Sequence, residues 1–266
     1  MGTERKRLDL LLVERGLFVS RSTARAAIMA GLVTVDGKKI DKPGTQIPSD
    51  AAIQVTELPR YVSRGGLKLE KALKVFEIDL RGRVAMDVGA STGGFTDCML
   101  QKGASKVYSI DVGYGQLDWR LRQDNRVVVL ERTNIRHFDP ASLVEAVQFA
   151  AVDVSFISLA LVLPALKNLK IPEIVTLVKP QFEVGKGRVG KKGVVRDPAA
   201  HLEVLKKIAA IAVELGYSVV GVDFSPIRGP EGNIEYLLHL LAESEPKAVA
   251  VQTIRETVAV AHQTLS

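Results

Sequence analysis

The segment Val84-Ala85-Met86-Asp87-Val88-Gly89-Ala90-Ser91-Thr92-Gly93-Gly94-Phe95-Thr96-Asp97 constrains the fold more than any other stretch of this chain. Val84 to Val88 is short, mostly apolar and β-branched at both ends, which predicts a buried strand. Gly89, Gly93 and Gly94 then let the backbone turn sharply and approach a ligand closely. Thr92 is placed to cap a helix from about Gly93 to Lys102, closed by Gly103. Strand, glycine-rich turn and helix in succession make the nucleotide-site geometry of open α/β sheets, although an ordinary tight turn uses the same residues. A second strand, Lys106 to Asp111, ends in an acid 22 residues after Gly89, near the spacing of roughly 20 expected for a carboxylate that holds ribose hydroxyls. The dinucleotide spacing G-x-G-x-x-G is absent. Asp87 followed by Gly89-x-Ser91-x-Gly93-Gly94-Phe95 looks more like an S-adenosylmethionine site. The cofactor-binding candidates are therefore Asp87, Gly89, Ser91, Thr92, Gly93, Gly94, Phe95 and Asp111. Asn134, in Glu131-Arg132-Thr133-Asn134, is a candidate to meet an adenine, and Asp153 closes a later strand at the same edge.

Residues 83–240 alternate strand and helix, the mark of a mainly parallel sheet covered on both faces. Strands are expected at 84–88, 106–111, 127–130, 149–153, 174–178, 218–224 and 234–240, and helices near 93–102, 116–122, 140–147, 156–168 and 199–215. The expected class is α/β, a Rossmann-like sheet with an S-adenosylmethionine-type first turn, preceded by a small α+β domain. A formal charge of +6 and a pI of about 9.4 favour an anionic partner such as nucleic acid. The single cysteine, Cys98, excludes an internal disulfide framework and suits a reducing, cytoplasmic compartment. Val154 to Leu166 is the most membrane-like run, but its thirteen residues are fewer than the roughly 20 that span a bilayer. The four histidines show no metal-ligand spacing, so no metal and no membrane are expected.

In the first 56 residues, Leu8 to Arg15 predicts a short amphipathic helix and Ser20 caps a second, Arg21 to Ala30. Asp36-Gly37 is a hairpin signal. The net charge here is +3, from nine basic and six acidic residues. The pattern Arg7-Leu8-Asp9…Ser20-Arg21-Ser22-x-Ala24-Arg25…Ala30-Gly31-x-Val33-x-Val35-Asp36-Gly37-Lys38 resembles the small RNA-binding domain of ribosomal small-subunit protein four. That resemblance makes Arg21, Arg25 and Lys38 RNA-binding candidates. The expected organisation is an RNA-binding domain at 1–56, a linker at 57–62 and a catalytic domain at 63–266.

Lys68, Asp153, Lys179 and Glu235 lie in Ser63-Arg64-Gly65-Gly66-Leu67-Lys68-Leu69, Asp153-Val154-Ser155-Phe156, Leu177-Val178-Lys179-Pro180-Gln181-Phe182-Glu183 and Gly232-Asn233-Ile234-Glu235-Tyr236. This order resembles the Lys-Asp-Lys-Glu catalytic tetrad of the FtsJ-type ribose 2′-O-methyltransferases. With the N-terminal domain it is similar to the TlyA family, also called hemolysin A. The resemblance implies methylation of a cytidine ribose in ribosomal RNA, of the small subunit, the large subunit or both, from S-adenosylmethionine. In such a site Lys179 faces the hydroxyl, either as a neutral base or as a charged stabiliser of the alkoxide, and the carboxylates orient the two lysines. An Asn/Asp-Pro-Pro-aromatic motif for amine methylation is absent, and Cys98 is in the wrong element for pyrimidine C5 chemistry.

Arg64, beside two glycines, is a further RNA-binding candidate. So are Lys186, Arg188, Lys191 and Lys192 in the stretch Gly185 to Arg196, which carries five basic residues, four glycines and no acid. A C-terminal amphipathic helix is expected over Val249 to Thr264. Two alternative functions are an RNA-binding assembly factor without catalysis, and a membrane-active haemolysin, which would need a spanning helix, barrel strands or a secretion signal.

Overall fold

A computed structural model describes residues 4–56, 60–185, 187–190, 193–243 and 245–265. The chain divides into two units, residues 1–60 and 61–266.

The first unit contains β1 (Arg5–Arg7), α1 (Leu8–Glu14), α2 (Arg21–Met29), β2 (Val33–Val35), β3 (Lys38–Lys39), β4 (Gln46–Pro48) and β5 (Ile53–Val55). Leu8, Leu11 and Leu12 form one apolar stripe of α1 and pack on Ala24, Ile28, Val33 and Val35. Ser20 caps α2 by accepting from the Thr23 amide at 3.2 Å. Asp36 and Gly37 have φ of 49° and 75°, the two left-handed residues that a tight hairpin between β2 and β3 requires. The β1–β4 pair was not expected, because its short strands carry arginine, lysine and proline rather than an alternating apolar pattern.

The second unit contains α3 (Gly65–Val75), β6 (Val84–Val88), α4 (Gly94–Gln101), β7 (Lys106–Ile110), α5 (Trp119–Arg122), β8 (Val127–Leu130), β9 (Phe149–Val152), α6 (Leu159–Asn168), β10 (Glu173–Val178), α7 (Pro180–Glu183), α8 (Pro198–Glu214), β11 (Tyr217–Phe224), β12 (Tyr236–Ala242) and α9 (Val251–Thr264). One sheet runs in the order β11-β12-β10-β9-β6-β7-β8. Its strands are parallel except β12, which is antiparallel to both neighbours. Val84, Met86 and Val88 of β6 enter one apolar layer and Ala85 the other, as the two-residue period of a strand dictates. The chain runs outward from β6 through β7 to β8, then crosses back to lay β9 on the other side of β6. Ligands of open α/β sheets bind at such a reversal.

Several boundaries depart from expectation. Helix α3, outside the expected alternation, starts at Gly65, and the Tyr61 ring packs against Gly66 so that no side chain would fit there. Thr92 does not cap α4; Gly93, left-handed at φ 97°, holds that position without a side-chain bond. The helix expected at 140–147 is only a short turn, Pro140–Ser142, capped by Asp139. Helix α6 starts at Leu159, three residues late, where Ser158 caps it. Glu183 holds that same start by accepting from Ser158 Oγ at 2.6 Å and the Leu159 amide at 2.8 Å.

Candidate active site

Gly89 leaves β6 with φ 89°, and a Cβ there would press into the carbonyl of Asp153 at the end of β9. Only glycine fits this crossing without moving backbone. Two residues on, the Ser91 amide donates to Asp111 Oδ2 at 2.7 Å, and the Gly113 amide donates to Oδ1 at 2.6 Å. The carboxylate at the end of β7 is thereby fixed, with a further lone pair on each oxygen for hydroxyl groups. A cavity of about 450 Å³ opens here, lined among others by Gly89, Ser91, Asp111, Val112, Gln116, Asn134, Ile135 and Asp153. Apolar walls from Val112 and Ile135, and a fixed acid for ribose hydroxyls, fit a purine nucleoside. The aspartates fit a cationic centre. These features suit S-adenosylmethionine.

Two expected cofactor residues do other work. Asp87 is fully buried and lines neither this cavity nor the next; it accepts from the Thr96 amide at 2.8 Å and from Thr96 Oγ1 at 2.6 Å, tying β6 to α4. Burial pushes its carboxyl up to about 7 against those bonds. Gly93 faces Leu117 and Leu121, so its role is the turn itself.

A second cavity, of about 570 Å³, shares Gly89, Ser91, Asp153, Ser155 and Phe156 with the first and adds Thr92, Gly94 and Phe95. Lys68, Asp153, Lys179 and Glu235 converge in it. Three of them come from the ends of β9, β10 and β12 on one edge of the sheet, and Lys68 comes from the first turns of α3. Lys68 Nζ lies 2.6 Å from Glu235 Oε2 and 3.9 Å from Asp153 Oδ2. Lys179 Nζ lies 2.7 Å from Asp153 Oδ1 and donates to Ser155 Oγ at 2.8 Å. Lys68 and Glu235 are 7% and 1% exposed, so their pairing is needed to keep both charged. Burial raises the Glu235 carboxyl above its ordinary value, and Lys68 opposes the rise.

Sequence reasoning missed an aromatic pair at this cavity. Phe156 is 91% exposed and has φ 63°. A left-handed bulky residue held in solvent is strained, and such strain concentrates at working sites. Its ring centroid lies 5.2 Å from that of Phe182, and both rings line the cavity. An aromatic three residues after Asp153 and another three residues after Lys179 were the only sequence signal. Asn233 was also missed: it accepts from the Val195 amide at 3.0 Å and donates to the Gly193 carbonyl at 2.9 Å, fastening that segment beside Glu235.

The expected basic residues are differently placed. Arg64 lines the tetrad cavity. Arg25 and Lys38 are exposed in the first unit. Arg21 is exposed too, but its Nε donates to the buried Asp9 at 2.9 Å, and Asp9 also takes two bonds from Arg7. Arg188 pairs with Glu203. Lys186, Lys191 and Lys192, and residues 57–59 of the expected linker, lie outside the described residues. Among the described residues no helix is long and apolar enough to cross a membrane, and no group of three or more His, Cys, Asp or Glu is placed to hold a metal ion.

Residues 61–241 match the FtsJ-like methyltransferase family, and residues 6–53 match the S4 domain. A Bacillus subtilis protein provisionally named rRNA methyltransferase YqxC is 51% identical, over all of this chain and 97% of its own. The 16S/23S rRNA (cytidine-2′-O)-methyltransferase TlyA of Mycobacterium tuberculosis is 48% identical over 96% of each chain. A solved structure provisionally named hemolysin, from Streptococcus thermophilus, has 47% identity and a TM-score of 0.77, covering 99% of this chain and 98% of that one.

Proposed function

This chain belongs to the FtsJ-like methyltransferase family, in the branch with an N-terminal S4 domain, and on that premise we propose that it methylates the 2′-oxygen of cytidine in ribosomal RNA, using S-adenosylmethionine. The observation that carries the proposal is the convergence of the Lys68–Glu235 and Lys179–Asp153 pairs in a cavity that shares five lining residues with the cofactor-like one. The S4 match and the activity named for the 48% identical relative support the RNA substrate. We assign residues 1–56 to RNA binding, 57–62 to the link and 63–266 to transfer, and place the protein with its ribosomal substrate in the cytoplasm.

S-adenosylmethionine, when bound, supplies a methyl on a sulfonium, a good leaving group in displacement at carbon. Asp111, Ser91, Asn134 and the Gly89 crossing would hold it. The methyl would pass from that sulfur, which would keep the bonding electron pair, to the ribose oxygen, and the hydroxyl proton would leave to base or solvent. Holding the oxygen in line supplies much of the rate. An ammonium has three N–H donors. At Lys179, Ser155 Oγ takes one, Asp153 Oδ1 lies alongside as the counter-ion, and the remaining N–H groups are available to charge developing on the ribose oxygen. Glu235 and Lys68 anchor this arrangement from the buried side. Phe156 and Phe182 offer faces on which an unstacked base can rest.

The test is transfer of a labelled methyl group to small subunits, large subunits and naked rRNA, followed by digestion to nucleosides. Label in 2′-O-methylcytidine is expected. Label in a base would replace the ribose reading with base methylation, and no label despite measurable cofactor binding would turn the reading to an RNA-binding assembly factor.

A further inference from the structure

Arg228 sits on the loop that joins β11 to β12 and lines the tetrad cavity, as Arg64 does at the start of α3. The two lysines of that cavity are ion-paired. Neither arginine has an ion-pair partner among the described residues. Apart from the Glu231 carboxylate, which also lines the cavity, theirs are the charges there without an ion pair among the described residues. Arg228 is exposed, so a plain surface arginine is the simplest reading, but the loop beneath it is unusually well fastened. The Ser225 amide donates to the Glu235 carbonyl at 2.8 Å, the Gly229 amide to the Asn233 carbonyl at 2.9 Å, and the Gly232 amide to the Gly229 carbonyl at 2.9 Å. Ser225 Oγ donates to the Ile227 carbonyl at 2.6 Å. Arg228 is thus carried on the same hydrogen-bonded turn that delivers Glu235, and ordering it on a ligand costs little further backbone entropy.

We propose that Arg228 is a substrate-binding residue which, with Arg64, grips the phosphates flanking the nucleotide that enters the tetrad cavity. The inference rests on the RNA methylation reading. A nucleotide extruded from a strand brings a phosphate on each side of its ribose, and arginine matches phosphate through two parallel N–H bonds. Two arginines borne on separate elements, α3 and the β11–β12 loop, suit that arrangement better than one cluster would.

The experiment measures binding of unmodified ribosomal subunits from about 50 mM to about 200 mM salt, at fixed magnesium, for wild type, Arg228→Ala and Arg228→Lys. Losing one phosphate contact lowers the slope of log K against log salt by about 0.7 to 0.9. Arg228→Ala is expected to show that drop and an affinity about five- to tenfold weaker at low salt, with S-adenosylmethionine affinity unchanged. Arg228→Lys keeps the slope and loses part of the affinity, since it keeps the charge without the fork. An unchanged slope in Arg228→Ala overturns the proposal. So does weaker cofactor binding with an intact slope, which would place the guanidinium on the cofactor's carboxylate. Binding needs no turnover, so a wild type that binds subunits but transfers no methyl speaks against the enzyme reading and leaves the slope comparison valid.

Discussion

Replacing Lys68 and Glu235, singly and together, separates what their ion pair does for stability from what it does for chemistry. At 2.6 Å and an effective dielectric near 20, the attraction is about 6 kcal/mol. Desolvation costs several kcal/mol per ion, so the net worth of the intact pair is small. Removing one partner is different, because the other charge stays buried. Lys68→Met leaves Glu235, 1% exposed, facing Asp153 without its main counter-ion, at a cost of about 3 kcal/mol. For a unit of this size that lowers Tm by about 6 to 12 °C. Glu235→Leu costs less, about 2 kcal/mol, since Lys68 keeps Asp153 at 3.9 Å. The double variant is expected within about 1 kcal/mol of wild type. The penalty of Lys68→Met also depends on pH. Burial already raises the Glu235 carboxyl above its unfolded value, so its protonated form favours folding at low pH and that contribution is lost as pH rises through the folded value. The variant therefore falls further below wild type as pH rises from about 5. Thermal unfolding followed by circular dichroism across pH reads all of this, and methyl transfer should be lost in all three variants. Losses that simply add in the double variant would refute the reasoning.

Other outcomes follow from single residues. Gly89→Ala forces a left-handed alanine into the Asp153 carbonyl; it should weaken S-adenosylmethionine binding at least tenfold and cost more than about 1 kcal/mol of stability, read by calorimetry and thermal melting. Phe156→Ala should lower kcat/KM on the RNA substrate about tenfold or more, the worth of one stacked base, while stability stays level because the ring is exposed. His201, bonded to Tyr236 Oη and the Val195 carbonyl, is held down to about 4, chiefly by burial. A histidine so depressed stabilises the fold above about pH 6.5 and loses that contribution as pH falls toward 4; His201→Gln should flatten this part of the pH–stability curve.

The central parallel strands β6, β7, β9 and β10 were legible because each is a short apolar run buried on both faces, and β8 because it is a run of apolar, mostly β-branched residues closed by an acid. The turn after β6 was legible because no other residue type makes the Gly89 crossing. What the sequence hid is set by side chains acting at a distance. Asp87 has the position of a cofactor acid, yet Thr96, one helical turn into α4, claims it. Glu183 lies in the same stretch as Lys179, but its carboxylate turns away to start α6. Helix α3 begins at two glycines that propensity would exclude, and Tyr61 packs where a side chain would stand. Phe156 carried no local signal for a left-handed backbone.

The central claim is that Lys179 works at the transferred methyl's acceptor, and single-turnover methyl transfer by Lys179→Ala tests it most directly. Subunits that accept label from wild type would be used, with S-adenosylmethionine affinity measured on the same samples. A fall of at least about 100-fold in the transfer rate, with cofactor affinity within about twofold of wild type, is the predicted result. A variant that transfers methyl within a few-fold of the wild-type rate would contradict it and leave the Asp153–Lys179 pair a structural feature of the cavity.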